Sequence, residues 1–144
     1  MFGIYHDITI SADNRSIMRA ISTPAGFNKW WTLECDGMLL EGAVFNFKFS
    51  DAYNWYATLD SYVTEQSIVY LMTRADKDWV DTTLHFDIIP YSEDKKILRF
   101  EHQGWRIINE HFRRTSYCWA QYLSNLKKYL ESGTVIPFGQ RTDF

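Results

Sequence analysis

Proton chemistry near neutral pH belongs first to histidine, and the chain has four: His6, His85, His102 and His111. Their spacing forms neither HExxH nor His-x-His, so no metal site is expected. His102 is the strongest candidate. It continues an alternation through Leu98 and Phe100 that turns it inward in a strand. An imidazole there serves as a hydrogen-bonded core residue, as a polar contact orienting a ligand, or as a general acid/base. His85 alternates outward, towards the surface. Asp76, Asp78 and Asp81 fall in or near a loop, without the ligand alternation and terminal Glu of an EF-hand, so solvation is the expectation. Cys35 and Cys118 make no CxxC pair, and two incidental thiols of a reduced, cytoplasmic protein are expected. No G-x-S-x-G elbow, glycine-rich phosphate loop or carboxylate pair occurs, so no cofactor and no catalytic residue is assigned.

The elements that must position these groups are read from periodicity. From His111 to Gly133, the residues Phe112, Ser116, Trp119, Leu123, Leu126 and Leu130 recur at steps of four and three. That spacing puts them on one face of a helix over about 109–132, with Ala120 widening the stripe. Arg113, Arg114, Gln121, Asn125, Lys127 and Lys128 fall on the wet side. Asn109 is its expected N-cap and Gly133 its left-handed C-cap, followed by a short tail over 133–144. Upstream, Ile4 to Ile10 reads as a strand with Ile4, His6, Ile8 and Ile10 on one face. Asp13 caps a short helix, and Thr23-Pro24 starts a second whose apolar side is Phe27, Trp30 and Trp31. Strands then follow at Leu33–Leu40, Val44–Phe49, Trp55–Val63, Ile68–Thr73, Val80–Ile89 and Ile97–Gln103, the first of them weakly marked. Segregated helices and a long antiparallel run indicate an α+β fold in which a curved sheet grips the last helix.

Composition excludes several classes. One domain spanning 1–144 is the simplest reading of the length. A net charge of −3, with basic residues only in isolated pairs, argues against nucleic acid. No apolar run approaches the ~20 residues of a membrane span. Aromatic residues make up 17%, a load of flat side chains that must fill or line the interior.

The order of elements resembles the START-like, or SRPBCC, helix-grip superfamily. Within it the chain is most similar to bacterial homologues of the activator of the 90-kDa heat-shock chaperone's ATPase. The resemblance covers nearly the whole chain. It rests on Ile8-x-Ile10 leading through Ala12 and Asp13 to Ile17, on Thr23-Pro24 and Trp30-Trp31, and on Gly42-x-x-Phe45-x-Phe47. Leu84-x-Phe86-x-Ile88 and Phe100-x-His102-x-Gly104-Trp105 continue it. The run from Trp119 through Tyr122-Leu123 and Leu126-Lys127 to Tyr129-Leu130-Glu131-x-Gly133 is its most specific part. These are mostly packing residues and transmit fold, not chemistry.

The resemblance implies an apolar cavity between a sheet of six or seven strands and the last helix. Strand and helix phase would line it with Phe45, Phe47, Phe49, Phe86, Phe100, His102, Phe112, Ser116 and Trp119. Each of these aromatics also reads as plain core. Three functions follow. Binding of a small hydrophobic ligand is the first, an aromatase/cyclase-like reaction in the same cavity the second, and a co-chaperone role on the 90-kDa heat-shock protein the third. The first is favoured, because only His102, with Ser116 or a tyrosine, offers polar groups to an enzyme. Chaperone contact is not favoured, since the eukaryotic activator carries an additional N-terminal domain. A homodimer remains open.

Overall fold

The computed structural model describes residues 1–144. Its elements are β1 (Phe2–Ile10), α1 (Asn14–Ser22), α2 (Pro24–Phe27), β2 (Glu34–Asp36) and β3 (Val44–Lys48). Then come β4 (Asn54–Val63), β5 (Ser67–Arg74), β6 (Thr83–Pro90), β7 (Lys96–Trp105), α3 (Glu110–Ser132) and a 3₁₀ turn (Phe138–Gln140). The strands form one antiparallel sheet in the order β1-β7-β6-β5-β4-β3-β2. It is a meander from β2 to β7, with β1 added beside β7, and α3 lies across its inner face. This is the α+β helix-grip arrangement.

Local signals set the helix ends. Asp13 accepts from Ser16 N, Thr23 from Gly26 N, and Asn109 from Phe112 N, so all three helices start on a side-chain cap. Gly133 closes α3 at φ 73°, the left-handed position that favours glycine. The C-terminus of α1 is buried, and its carbonyls need donors from elsewhere. Thr23 Oγ1 donates to Arg19 O, Trp30 Nε1 to Ala20 O, and the Tyr70 hydroxyl to Ile21 O. Two aromatic residues of the core therefore also cap a helix.

Several expected boundaries move. The strand expected over 33–40 shrinks to Glu34–Asp36, and Met38, Leu39 and Leu40 are exposed. α2 ends at Phe27, and Trp30 and Trp31 follow in turns rather than in the helix. The sixth strand begins at Thr83 because 77–82 forms a turn, with Asp81 at φ 68°. On α3, Ala120 is exposed and Asn125 is buried, the reverse of the expectation. The reason is the tail. It folds back along α3, where Asn125 Nδ2 donates to Arg141 O and Asp143 accepts from Tyr117 and Gln121. A second face of α3, through Thr115, Cys118, Tyr122 and Asn125, is thereby covered.

Candidate functional site

Strand alternation turns Phe45, Phe47, Phe86, Phe100 and His102 inward, and all five are fully buried. They pack against other rings. Phe47 lies 4.8 Å from Trp31 and 5.2 Å from Phe27, and Phe45 lies 5.2 Å from Tyr70. Phe86 lies 5.1 Å from Phe100, which lies 4.3 Å from Trp119. Phe112 stands edge-on to Trp105 at 5.2 Å. Tilted and edge-to-face pairs of this kind hold a solid interior.

His102 is bonded at both ring nitrogens. Trp119 Nε1–H, which can only donate, reaches Nδ1 at 3.2 Å, so Nδ1 is the acceptor. The proton of the neutral ring is then on Nε2, donated to Thr82 Oγ1 at 2.8 Å, while Thr82 donates in turn to Trp79 O. Burial pushes the imidazole down from its ordinary 6.5 to about 3, helped by His111 and His85. With Trp79 at 4.5 Å and Trp105 at 5.1 Å around it, His102 is a neutral structural residue with no free nitrogen. Ser116 faces β1 rather than open space, with His6 Nε2 donating to its carbonyl at 3.1 Å.

An aromatic-lined groove of about 290 Å³ lies at one end of the grip. Phe49 and Trp119, of the nine residues expected, line it. Trp31, Tyr53, Trp55 and Trp79 form the rest of its aromatic wall on the sheet side, Tyr122 lines it from α3, and Phe138 from the tail closes one side. Trp55 and Trp79 lie 4.5 Å apart, and Trp79 stacks on Trp119 at 5.9 Å. Asp76, His111, Arg114, Thr115 and Cys118 complete the lining with polar groups.

His111 is positioned by the turn before β6. Its Nδ1 meets Asp78 Oδ2 at 3.0 Å, and Asn109 Nδ2 reaches the same oxygen at 3.3 Å. Those two bonds, His111 first, hold the Asp78 carboxyl below its usual range. A carboxylate only accepts, so Nδ1 carries the proton, and Nε2 is left 3.9 Å from Asp76 Oδ2. Burial pushes the Cys118 thiol and the Tyr122 phenol up, so both are neutral. No three His, Cys, Asp or Glu side chains converge to hold a metal ion. Sequence reading missed this group because its parts are separated by 33 residues. The one available signal was that Asp76 and Asp78 share a turn rich in polar residues.

No helix is long and apolar enough to cross a membrane. No curated protein matches the sequence. Among solved structures, the Aha1 dimer of Colwellia psychrerythraea is 25% identical, with 93% of this chain and 99% of that one covered at a TM-score of 0.84. SSP2350 of Staphylococcus saprophyticus is 14% identical, covering 94% and 96% at 0.78. CalU16 of Micromonospora echinospora is 17% identical, covering 96% and 83% at 0.72. The last two likenesses show the fold. Residues 12–131 match the family described as Activator of Hsp90 ATPase homolog 1-like protein, and the chain belongs to that family.

Proposed function

We propose that the protein binds a small hydrophobic ligand in the groove between α3, the tail and the open end of the sheet. The observation that carries this reading is the groove of about 290 Å³ walled by five tryptophan and phenylalanine rings of the sheet side and α3, with Phe138 opposite. Its size suits one or two fused rings, at the small end of ligand pockets. Phe49 and Trp119 contact the ligand, and Phe45, Phe47, Phe86 and Phe100 stiffen the wall from behind. Burial of apolar surface supplies most of the affinity, about 25 cal/mol per Å² before the costs of association. Nile red titrated into wild type and Cys118→Trp tests this. Binding by wild type and loss in a variant that melts normally supports the groove. Equal binding by both moves the ligand elsewhere, and no binding by the folded wild type ends the reading.

A second reading concerns a protein partner. Leu33, Met38, Leu39, Leu40 and Val44 are exposed together around β2, at one edge of the sheet. An apolar cluster at a sheet edge favours association, and the Colwellia relative is a dimer. We take the partner to be a second copy of the chain. Light scattering on wild type and on Met38→Lys/Leu40→Lys decides it, a monomeric wild type being the adverse result. Action on Hsp90, which the family description names, is the remaining alternative. ATPase assays with purified chaperone test it, and saturable, several-fold stimulation by this chain would establish it.

A further inference from the structure

Resting on the groove as the binding site, we infer that its occupant is an aromatic amine in its ammonium form, with the ring among the indoles and N–H donated to Asp76 and His111. At the polar end of the groove, Asp76 and His111 present two acceptors side by side. Asp78 fixes the His111 proton on Nδ1, which leaves Nε2 bare in the neutral ring. The Asp76 carboxylate takes part in no hydrogen bond, and its Oδ2 stands 3.9 Å from that nitrogen. The gap is too long for the two to satisfy each other. Two acceptors at this separation can both be reached, at ~2.8 Å each, by one atom carrying two hydrogens. A protonated amine is such an atom, whereas a carboxylate offers none.

The walls favour the same charge. Trp31, Trp55, Trp79 and Trp119 present ring faces and edges around the cavity, and aromatic faces attract cations. The charged and titratable groups around the polar end are Asp76, Lys77 and Asp78 from the turn, and Glu110, His111, Arg114, Cys118 and Tyr122 from α3. Lys77 is exposed and outside the lining. Arg114 lines the groove, but its guanidinium lies over the Phe144 ring at 4.7 Å, engaged with the end of the chain. Asp78 is occupied by His111 and Asn109 at the N-terminus of α3, where it answers the helix dipole. The Arg114 charge is turned to the Phe144 ring, and the Asp76 carboxylate is the charge that stands beside the bare His111 nitrogen.

Four probes with one ring system separate head from body: indole, tryptamine, tryptophol and indoleacetate, each titrated calorimetrically into the full chain. Tryptamine is expected to bind at least ten-fold tighter than indoleacetate and tighter than tryptophol. Asp76→Asn is expected to cost tryptamine about ten-fold, the range of one charge-assisted hydrogen bond, and to leave indole unchanged. Tighter binding of indoleacetate, equal binding of the three substituted probes, or an unchanged tryptamine affinity in Asp76→Asn overturns the inference while indole binding keeps the groove. Failure of all four probes overturns both.

Discussion

Trp119, two turns into α3, donates its indole N–H to Nδ1 of His102 on β7 at 3.2 Å and so ties the gripped helix to the strand next to the β1 edge of the sheet. The bond also fixes a tautomer. With Nδ1 accepting, Nε2–H must donate to Thr82, and Thr82 to the Trp79 carbonyl, so every proton in the chain of bonds has one place. Trp79 and Trp119 are both groove residues. The buried histidine is thus the scaffold on which the aromatic wall is mounted.

Acid should act on this scaffold first. The His102 pKa falls from 6.5 unfolded to about 3 folded. Between those values the unfolded chain binds the extra proton, so stability rises with pH and is lost as pH falls through the window. The loss is about 1.4 kcal/mol per unit within it. The carboxyls of Asp7, Asp13, Asp78 and Asp143 are also held low from 3.8, so most of their contribution is lost at lower pH than the His102 window. Wild type is expected to melt at a clearly lower temperature at pH 4.5 than at pH 7. His102→Gln should be less stable at neutral pH and nearly flat over that interval. An equally steep fall in the variant would place the acid sensitivity elsewhere.

The fold was legible because its signals are local. The caps at Asp13, Thr23 and Asn109, the C-cap at Gly133 and the alternation in β3, β6 and β7 each depend on neighbours within four residues. The site was not, because it is made by contacts that no local pattern encodes. Phase showed that Phe45 and Phe100 point inward, but not that Phe27, Tyr70 and Trp119 meet them and leave no room. Asn125 looked wet because it is polar, although the returning tail covers it and its Nδ2 donates to Arg141 O. Ser116 looked like a small residue facing a cavity, whereas β1 lies against it.

Gly26 is expected to resist the mildest substitution. Alanine in place of glycine inside a helix normally helps by about 1 kcal/mol. Here a Cβ would meet the Arg19 carbonyl and stand 2.6 Å from Ala20 Cα, and backbone atoms of α1 cannot swing aside. Gly26→Ala should therefore destabilise by about 2–4 kcal/mol, from overpacking. A denaturant midpoint at or above that of wild type would show that α1 and α2 are less closely packed.

Leu123 has no exposed surface and sits on the buried stripe of α3 with Trp119 and Leu126. Leu123→Asp removes core volume and adds a charge with no partner, which together exceed the ~2–5 kcal/mol of a large-to-small change. Total stability of ~5–15 kcal/mol leaves little reserve. The variant should be insoluble or lack a cooperative melt. Leu123→Met, similar in volume, should keep one. A near-normal melt for the aspartate variant would mean that this face of the helix is not gripped.

Arg141 holds the tail in place without any carboxylate. Its guanidinium donates to Asn28 O at 2.8 Å, Thr32 O at 3.1 Å and Ile136 O at 3.0 Å, while its own carbonyl accepts from Asn125. Burial lowers its pKa somewhat, yet guanidinium stays charged at any working pH. The carbonyls of Asn28 and Thr32 follow the end of α2, and a cation suits them. Arg141→Met keeps much of the apolar stem and removes all the donors. It is expected to cost about 2–3 kcal/mol, since charge-assisted bonds are lost and carbonyls are left bare. Local release should exceed global loss. Phe138 then becomes a site for chymotrypsin under native conditions, and the groove loses one wall, so Nile red affinity falls. Arg141→Lys, with three donors that do not match the fork, should be intermediate. Unchanged proteolysis and dye affinity in Arg141→Met would show that the tail is held by Asp143 and its partners on α3 instead.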